Sequence, residues 1–390
     1  MYETLMSHFM GLFSSNKSYL GIDIGGSAIK MTELKNEKGR PKLVTYGYTE
    51  QETDILHNDS EQAKNTIIGA LKLIQEKAVT TTRKAVAALP SYTVFSSVIQ
   101  LPVMSKKDLT AAVRWEAKKF VPMPIEEMVL DWKILDTFPH VELVKESQER
   151  ESEKETSEQI PANIPRIPTS KEKYKNIHIL LTAAPKSLVQ RYIEIFKSAG
   201  IELVSLETEA FALERSLIGN DPSPIMTIDM GAVATNISIM IGSIPLINRS
   251  IDIGGSTITK TISNSLNIDL KRAEQFKRDF GLSMSDDAKE MSQIPKRIEF
   301  MMNSIVNEIR YMMNIYQDQY AQPLEKIILT GGSAWLPQLP NYLNATFGIR
   351  TFIGDPWAKI IYPVDLKPVL NELGPSFAVS IGLALREIIK

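Results

Sequence analysis

The sequence predicts an α/β chain of two similar lobes with a small α/β subdomain inserted in the first, and three stretches point to it. Residues 19–34, YLGIDIGGSAIKMTEL, run apolar, break at Gly25-Gly26-Ser27 and resume apolar. That is the pattern of a β-hairpin whose turn is stripped of side chains. Residues 224–253, opening PIMTIDMGAVATNISIMIG, repeat it, with Asp229 and Gly231 where the first stretch has Asp23 and Gly25. Residues 324–337, LEKIILTGGSAWLP, drive a further apolar strand into Gly331-Gly332-Ser333. Internal similarity at so long a period marks a duplicated fold with a ligand clamped between its halves.

Composition narrows the function. A chain of 390 residues has material for two to three domains. A formal net charge of −2 gives no field suited to nucleic acid. Cys is absent, which removes disulfides, thiolate metal sites and iron–sulfur clusters and fits a reducing, cytosolic setting. The four histidines are scattered without ligand spacing, and no apolar run approaches the roughly 20 residues of a membrane span.

Each element follows from local pattern. Residues 1–18 form an N-terminal segment in which Tyr2, Leu5, Met6, Phe9, Met10 and Phe13 fall at helical spacing. Residues 1–13 lack the basic start of a secretory signal and the Lys or Arg of an interfacial anchor, so they read as a helix packing on this protein or on a partner. The first lobe is expected over residues 19–220. After the hairpin come a third strand at 43–49 and a helix with Ala63, Ile67, Leu71, Ile74 and Ala78 on one face. A buried-type strand at 84–89 ends at Pro90.

The inserted subdomain is expected over about 91–176. It holds a strand at 93–101, a helix opened by a Ser105/Asp108 cap and running to Phe120, and a strand at 128–135. Trp115 in that helix reads as core. Residues 138–175, rich in Glu, Lys, Ser, Gln and Pro, read as a flexible acidic loop. A buried strand at 177–184 precedes a helix with Leu188, Tyr192, Ile195, Phe196 and Ala199, and Gly200 suits its C-terminal stop. A strand at 201–206 leads through Glu207-Thr208-Glu209-Ala210 into a helix, and NDPSP at 220–224 is the linker between lobes.

The second lobe is expected over 221–371, with a helical subdomain inserted at about 266–322. Asp252-Ile253-Gly254-Gly255-Ser256-Thr257 resembles the two turns but follows the third strand, so it reads as the cap of a helix near the cleft mouth. Residues 269–281 form a charged helix in which Glu274 and Lys277 share a face. A long helix carries Ile298, Met301, Met302, Ile305, Ile309, Met312 and Tyr316 as core. Residues 372–390 form a last helix, with Phe377, Ile381 and Leu385, returning to the first lobe.

The chemistry gathers at the turns. Backbone N–H groups of Gly25, Gly26 and Ser27, and of Gly231, Ala232 and Thr235, can cradle phosphate oxygens. Asp23 and Asp229 can orient Mg²⁺ through its water shell, and Lys30 adds positive charge. Gly331, Gly332 and Ser333 allow close backbone approach on the adenosine side.

Together these stretches resemble the actin-like ATPase superfold of duplicated ribonuclease-H-like lobes. GIDIGGSAIK resembles its first phosphate loop, IDMGAVATNISI its second and ILTGGSAWLP its adenosine loop. LETEAFAL resembles the connecting helix, which implies Glu207 as the carboxylate near attacking water. AEQFK matches the ribose motif, which implies that role for Glu274 and Lys277. Within the superfold, VFSSVIQLPVMSKKDLTAAVRWEAKKFVPMPIEEMVLDW, APKSLVQRYIEIFKSAGIELVSLETEAFAL and SFAVSIGLALR are similar to the PilM family of type IV pilus assembly.

The resemblance implies an ATP- and Mg²⁺-binding cytoplasmic scaffold, peripheral at the inner face of the membrane. Its implied partner is the cytoplasmic N-terminal tail of PilN, held in a groove between the first lobe's body and its insert. The pilus motor ATPases and a second copy of the chain are further partner expectations, and slow ATPase activity stays open. Ala232-Val233-Ala234 departs from the family's Thr-rich run, so fewer hydroxyls reach phosphate.

Two rivals share the superfold. A sugar kinase commonly carries a Cys-rich zinc motif and a catalytic Asp after Asn in a sugar pocket; here Cys is absent and Asn58-Asp59 and Asn220-Asp221 fall in expected loops. An FtsA-like protein of cell division is expected to continue past IGLALREIIK into a linker and a basic amphipathic helix.

Overall fold

The computed structural model describes residues 17–50, 60–135, 176–283, 293–320 and 322–389. The helix expected within residues 1–18 and the loop expected over 138–175 lie outside the described residues.

Strands β1 (Ser18–Ile24), β2 (Ala28–Glu37) and β3 (Arg40–Glu50) form an antiparallel meander. Helix α1 (Glu61–Ala78) starts where Ser60 Oγ accepts from the Ala63 N–H at 3.2 Å, which satisfies one of the donors a helix start leaves unpaired. Strand β4 (Lys84–Leu89) then runs parallel to β1. Its alternation divides the lobe's core. Ala85, Ala87 and Leu89 pack with Ile67 and Leu71 of α1, while Val86 and Ala88 face the other side.

The insert begins with β5 (Phe95–Pro102), α2 (Lys106–Phe120) and β6 (Met128–Ile134). Strand β7 (Asn176–Pro185) pairs with both strands, antiparallel to each, and so is the centre of a three-stranded sheet β5-β7-β6. The subdomain therefore extends to residue 185 rather than closing near 176, because its middle strand comes from beyond the loop. Leu109, Val113 and Ala117 of α2 pack on Ile99, Ile179 and Leu181. Trp115 differs from its sequence expectation: it lies on the opposite helix face and is 68% exposed.

Helix α3 (Lys186–Ser198) returns Tyr192, Ile195 and Phe196 to the first core, and β8 (Glu202–Thr208) completes the sheet β3-β2-β1-β4-β8. The lobes are joined by α4 (Glu209–Leu213), a π-helical turn over Glu214–Ile218 and Gly219.

The second lobe repeats the plan. Strands β9 (Pro224–Met230), β10 (Thr235–Ile241) and β11 (Ile244–Ile251) form the meander. Helices α5 (Gly255–Leu266), α6 (Leu270–Phe280) and α7 (Gln293–Gln319) follow. Then β12 (Lys326–Thr330), α8 (Leu339–Phe347) and β13 (Arg350–Ile353) complete a sheet β11-β10-β9-β12-β13, the first lobe's order again. Ile298, Met302, Ile305, Ile309, Met312 and Tyr316 of α7 share one core with β9 and β10, so the helical insertion has no separate core.

The chain recrosses earlier than residue 372. Ile361 already exchanges backbone hydrogen bonds with Pro41 and Leu43, and Trp357 packs with Leu34 and Phe377. Helix α9 (Lys367–Leu385) is apolar and long enough to cross a membrane, but it is spent on burial inside the protein, against β1, β2 and β4. The carbonyl of Pro375 accepts from the Gly331 N–H at 2.9 Å and the Thr330 hydroxyl at 2.8 Å, tying α9 to the second lobe.

Candidate functional site

The two turns are built alike. Asp23 faces Lys30 across β1 and β2, and Asp229 faces Asn236 across β9 and β10. In the first, the Gly25 N–H donates to the Ala28 carbonyl at 3.0 Å; in the second, the Gly231 N–H donates to the Ala234 carbonyl at 3.0 Å. Gly26 and Ser27 form the rim of the first turn, with Ser27 exposed. Lys30 Nζ lies 3.3 Å from Asp23 Oδ2. Thr235 is fully buried and its hydroxyl donates to the Ile253 carbonyl at 2.6 Å, so that hydroxyl is committed to the fold.

Glu207 and Glu209 end up in different places. Glu207 is clamped by Arg215 and by Arg386 at 3.5 Å, beneath α9, where Arg215 also donates to the Gly382 carbonyl at 2.9 Å. It is a structural ion pair and not the cleft carboxylate expected from sequence. Glu209, two residues on, takes that position. Its Oε2 accepts from the Ser91 N–H at 3.1 Å, the Ser91 hydroxyl at 2.5 Å and the Asn236 amide at 2.9 Å. Glu207 is the second-last residue of β8 and Glu209 the first of α4, and the partners that fix each come from distant residues: Arg215 and Arg386 for Glu207, Ser91 and Asn236 for Glu209.

Electrostatics places Glu209 with the two aspartates. Burial, then the carboxylates of Asp229 and Asp23, push its acid up to about 8 against the hydrogen bonds from Ser91. Burial and Asp23 raise Asp229 to about 6, opposed by Lys30. Asp23, Asp229 and Glu209 therefore feel one another's charge, and Lys30 opposes the rise at Asp229. Among the described residues no three ligating side chains close a direct metal cage. An under-neutralised acidic cleft without a cage suits Mg²⁺, which keeps several waters and leans on one or two carboxylates plus phosphate oxygens.

The opposite wall gathers the remaining expected residues. Gly331 has φ +86°, and a Cβ there would collide with Asp229 Oδ1 and the Met230 carbonyl, so only glycine fits. Ser333 Oγ donates to the Gly231 carbonyl at 3.4 Å, and Gly332 is open to the cleft. Lys277 is buried and spends its donors on Glu274 at 2.6 Å, Thr259 at 3.0 Å and the Gly255 carbonyl at 3.2 Å. Burial pulls Lys277 down; the same burial lifts Glu274, but Lys277, Thr259 and Arg278 outweigh it and hold Glu274 at about 2. Through these bonds Lys277 anchors α6 to the start of α5.

Gly254-Gly255 is more than a helix cap. The Gly255 N–H donates to the Gly231 carbonyl at 3.0 Å and the Ser256 N–H to the Ala232 carbonyl at 2.8 Å, so the helix start is bonded to the second turn itself. A Cβ at Gly255 would run into Ser333. The structure thus brings Asp23, Lys30 and Gly25 together with Asp229, Gly231 and Ala232, and sets Glu274, Lys277, Gly331 and Ser333 on the adjoining wall. Sequence reasoning gave Glu209 and Ser91 no role, set Asn236 aside as an amide without a catalytic role, and read Gly255 as part of a helix cap. Only Glu209 had a readable signal, an acid at the first turn of a helix beside the linker.

Comparisons with known proteins give a family and a fold. The family model described as type IV pilus assembly protein PilM matches residues 21–149 and 141–388. The chain is similar to a solved PilM-PilN type IV pilus biogenesis complex, at 26% identity and TM-score 0.76, covering 96% of this chain and 99% of that one. It also resembles MreB 5 of Spiroplasma citri bound to AMPPNP, at 14% identity and TM-score 0.50 over 96% of this chain and 97% of that one, a likeness of fold. The cell division protein FtsA of Enterococcus hirae is 23% identical over 221 residues; the match spans 50% of this chain and 50% of that relative's length.

Proposed function

The chain belongs to the PilM family of type IV pilus assembly proteins, and from that premise we propose that it is an ATP-binding actin-like scaffold of the pilus assembly complex that captures the cytoplasmic N-terminal tail of PilN. The observation that supports it most is the convergence of Asp23, Asp229 and Glu209 between two matching glycine turns, with the wall of Gly331 and Lys277 beside them. In this reading the chain works in the cytoplasm, peripheral at the inner face of the membrane through its partner.

Bound Mg-ATP supplies the negative phosphates and the divalent charge for which the site is suited. The Gly25 and Gly231 N–H groups are bonded within their own turns, so the N–H groups of residues 26–27 and 232–234 would hold the anionic oxygens, Lys30 would offset their charge, and Asp23 and Asp229 would orient the metal through water. Glu209 Oε2 already accepts three hydrogen bonds, so Oε1 is the oxygen placed to accept from a water. Gly331–Ser333 admits the flat base against backbone, and Glu274 and Lys277 form the ribose side.

A pull-down with the N-terminal peptides of inner-membrane pilus proteins, with and without Mg-ATP, tests the reading. Capture of a PilN-type tail is expected. Retention of none of the peptides, by a protein that binds Mg-ATP, would remove the partner assignment. Phosphorylation of a sugar from a panel would redirect it to the kinase reading.

A further inference from the structure

One oxygen of Glu209 joins three parts of the molecule. Ser91, which gives Oε2 two hydrogen bonds, belongs to the first lobe and opens the turn Ser91–Thr93 that feeds β5, the insert's first strand. Asn236, which gives it one, stands on β10 of the second lobe opposite Asp229. Glu209 itself heads α4, the crossing between lobes.

The insert also touches the second lobe directly. The 91–93 turn and β5 lie against β11, and Val98 of β5 packs on the second-lobe core. That seam is lightly fastened. Among the described residues, the buried Ser96 hydroxyl on β5 and the Ser250 hydroxyl and Asn248 Oδ1 on β11 have no hydrogen-bond partner. Buried polar groups without partners favour any shift that lets them pair or reach water, so the seam is poised to move. Asn236 Oδ1 is likewise unpartnered, which leaves its amide free to turn.

We propose that Ser91 and Asn236 are positioning residues for Glu209, and that through Ser91 the state of the nucleotide cleft sets the pose of the insert against the second lobe. The asymmetry of the bonds gives the direction. If Glu209 shifts toward the contents of the cleft, the single bond from Asn236 yields first, while the paired bonds from Ser91 draw the 91–93 turn and the start of β5 along. The proposal rests on the nucleotide reading above and adds the regulation of that same site.

Hydrogen–deuterium exchange of the full chain, with and without Mg-ATP, tests it on Ser91→Ala, Asn236→Ala and Ser91→Thr. In the wild type, Mg-ATP is expected to change exchange over residues 91–102 and 244–251 by about fivefold, the scale of one hydrogen bond. With each variant saturated with Mg-ATP, Ser91→Ala, which keeps the backbone N–H bond to Glu209 but loses the hydroxyl bond, should lose much of that change, whereas Asn236→Ala should keep it. Ser91→Thr keeps an Oγ and should restore it, which a merely destabilised chain would not do. Wild-type protein that binds Mg-ATP with no change over these segments overturns the coupling and leaves the nucleotide reading standing. So does a full response in Ser91→Ala. Absence of Mg-ATP binding in the wild type overturns the nucleotide reading and this inference with it.

Discussion

The two turn corners share a backbone and differ in charge. In the first lobe Asp23 has Lys30 opposite it, 3.3 Å away, and the corner is neutralised within itself. In the second, the same register position holds Asn236, which turns to Glu209 and leaves Asp229 without a cation of its own. The result is Asp229 raised to about 6 and Glu209 to about 8 by burial and mutual repulsion. The duplicated plan therefore gives the same backbone geometry twice, and the differing residue across each strand pair leaves one corner neutralised and the other anionic.

The largest effect is expected outside both corners, and it checks that the cleft has been drawn correctly. Glu207→Gln leaves Arg215 and Arg386 unpaired and should lower stability by about 2 kcal/mol, below the figure for fully buried pairs because Arg386 is partly exposed. Mg-ATP affinity should stay unchanged, as read by denaturant unfolding alongside calorimetric titration. A loss of affinity with stability intact would return Glu207 to the cleft.

Next in size, Asp23→Ala and Asp229→Ala should each weaken Mg-ATP binding at least about tenfold, ~1.4 kcal/mol. Unchanged affinity in either would break the pairing of the corners. Exchanging the differing residues sharpens the comparison. Lys30→Asn should lose about 1 kcal/mol of nucleotide binding, while Asn236→Lys should stabilise the nucleotide-free protein by a similar amount by supplying the missing cation. If both exchanges are silent, charge is not what separates the corners.

The smallest effect is a pH dependence. An acid whose folded pKa is raised favours the folded state below its ordinary value and loses that contribution as pH climbs through the folded value. For Asp229 the window runs from its ordinary 3.8 to about 6, and for Glu209 from 4.5 to about 8. Asp229→Asn should therefore raise the melting temperature of the nucleotide-free protein by a few degrees at pH 8 and leave it unchanged near pH 4. Equal shifts at both pH values would mean that the carboxylate carries no electrostatic penalty.

Local pattern made most of the fold legible. Apolar runs ending at Gly25 and Gly231 became strands ending there, and the Ser105/Asp108 cap opened α2 where expected, with the Asp108 N–H donating to Ser105 Oγ at 3.3 Å. Misreadings came where a side chain's surroundings are supplied by distant residues. Trp115 sits in a helix whose buried face is set by strands on both sides of the long loop. Gly254-Gly255 gains its place from the carbonyls of a turn more than 20 residues earlier.

Sequence by itself determined the two lobes, the paired Asp–Gly turns and the family, because alternation and glycine placement act over a few residues and survive without knowledge of neighbours. Tertiary structure alone decided which of two glutamates, two positions apart, enters the cleft and which is locked beneath α9. At a strand-to-helix junction the period changes from two to 3.6 residues, so the side-chain direction is settled only by the arginines, the serine and the asparagine that long-range folding brings to each.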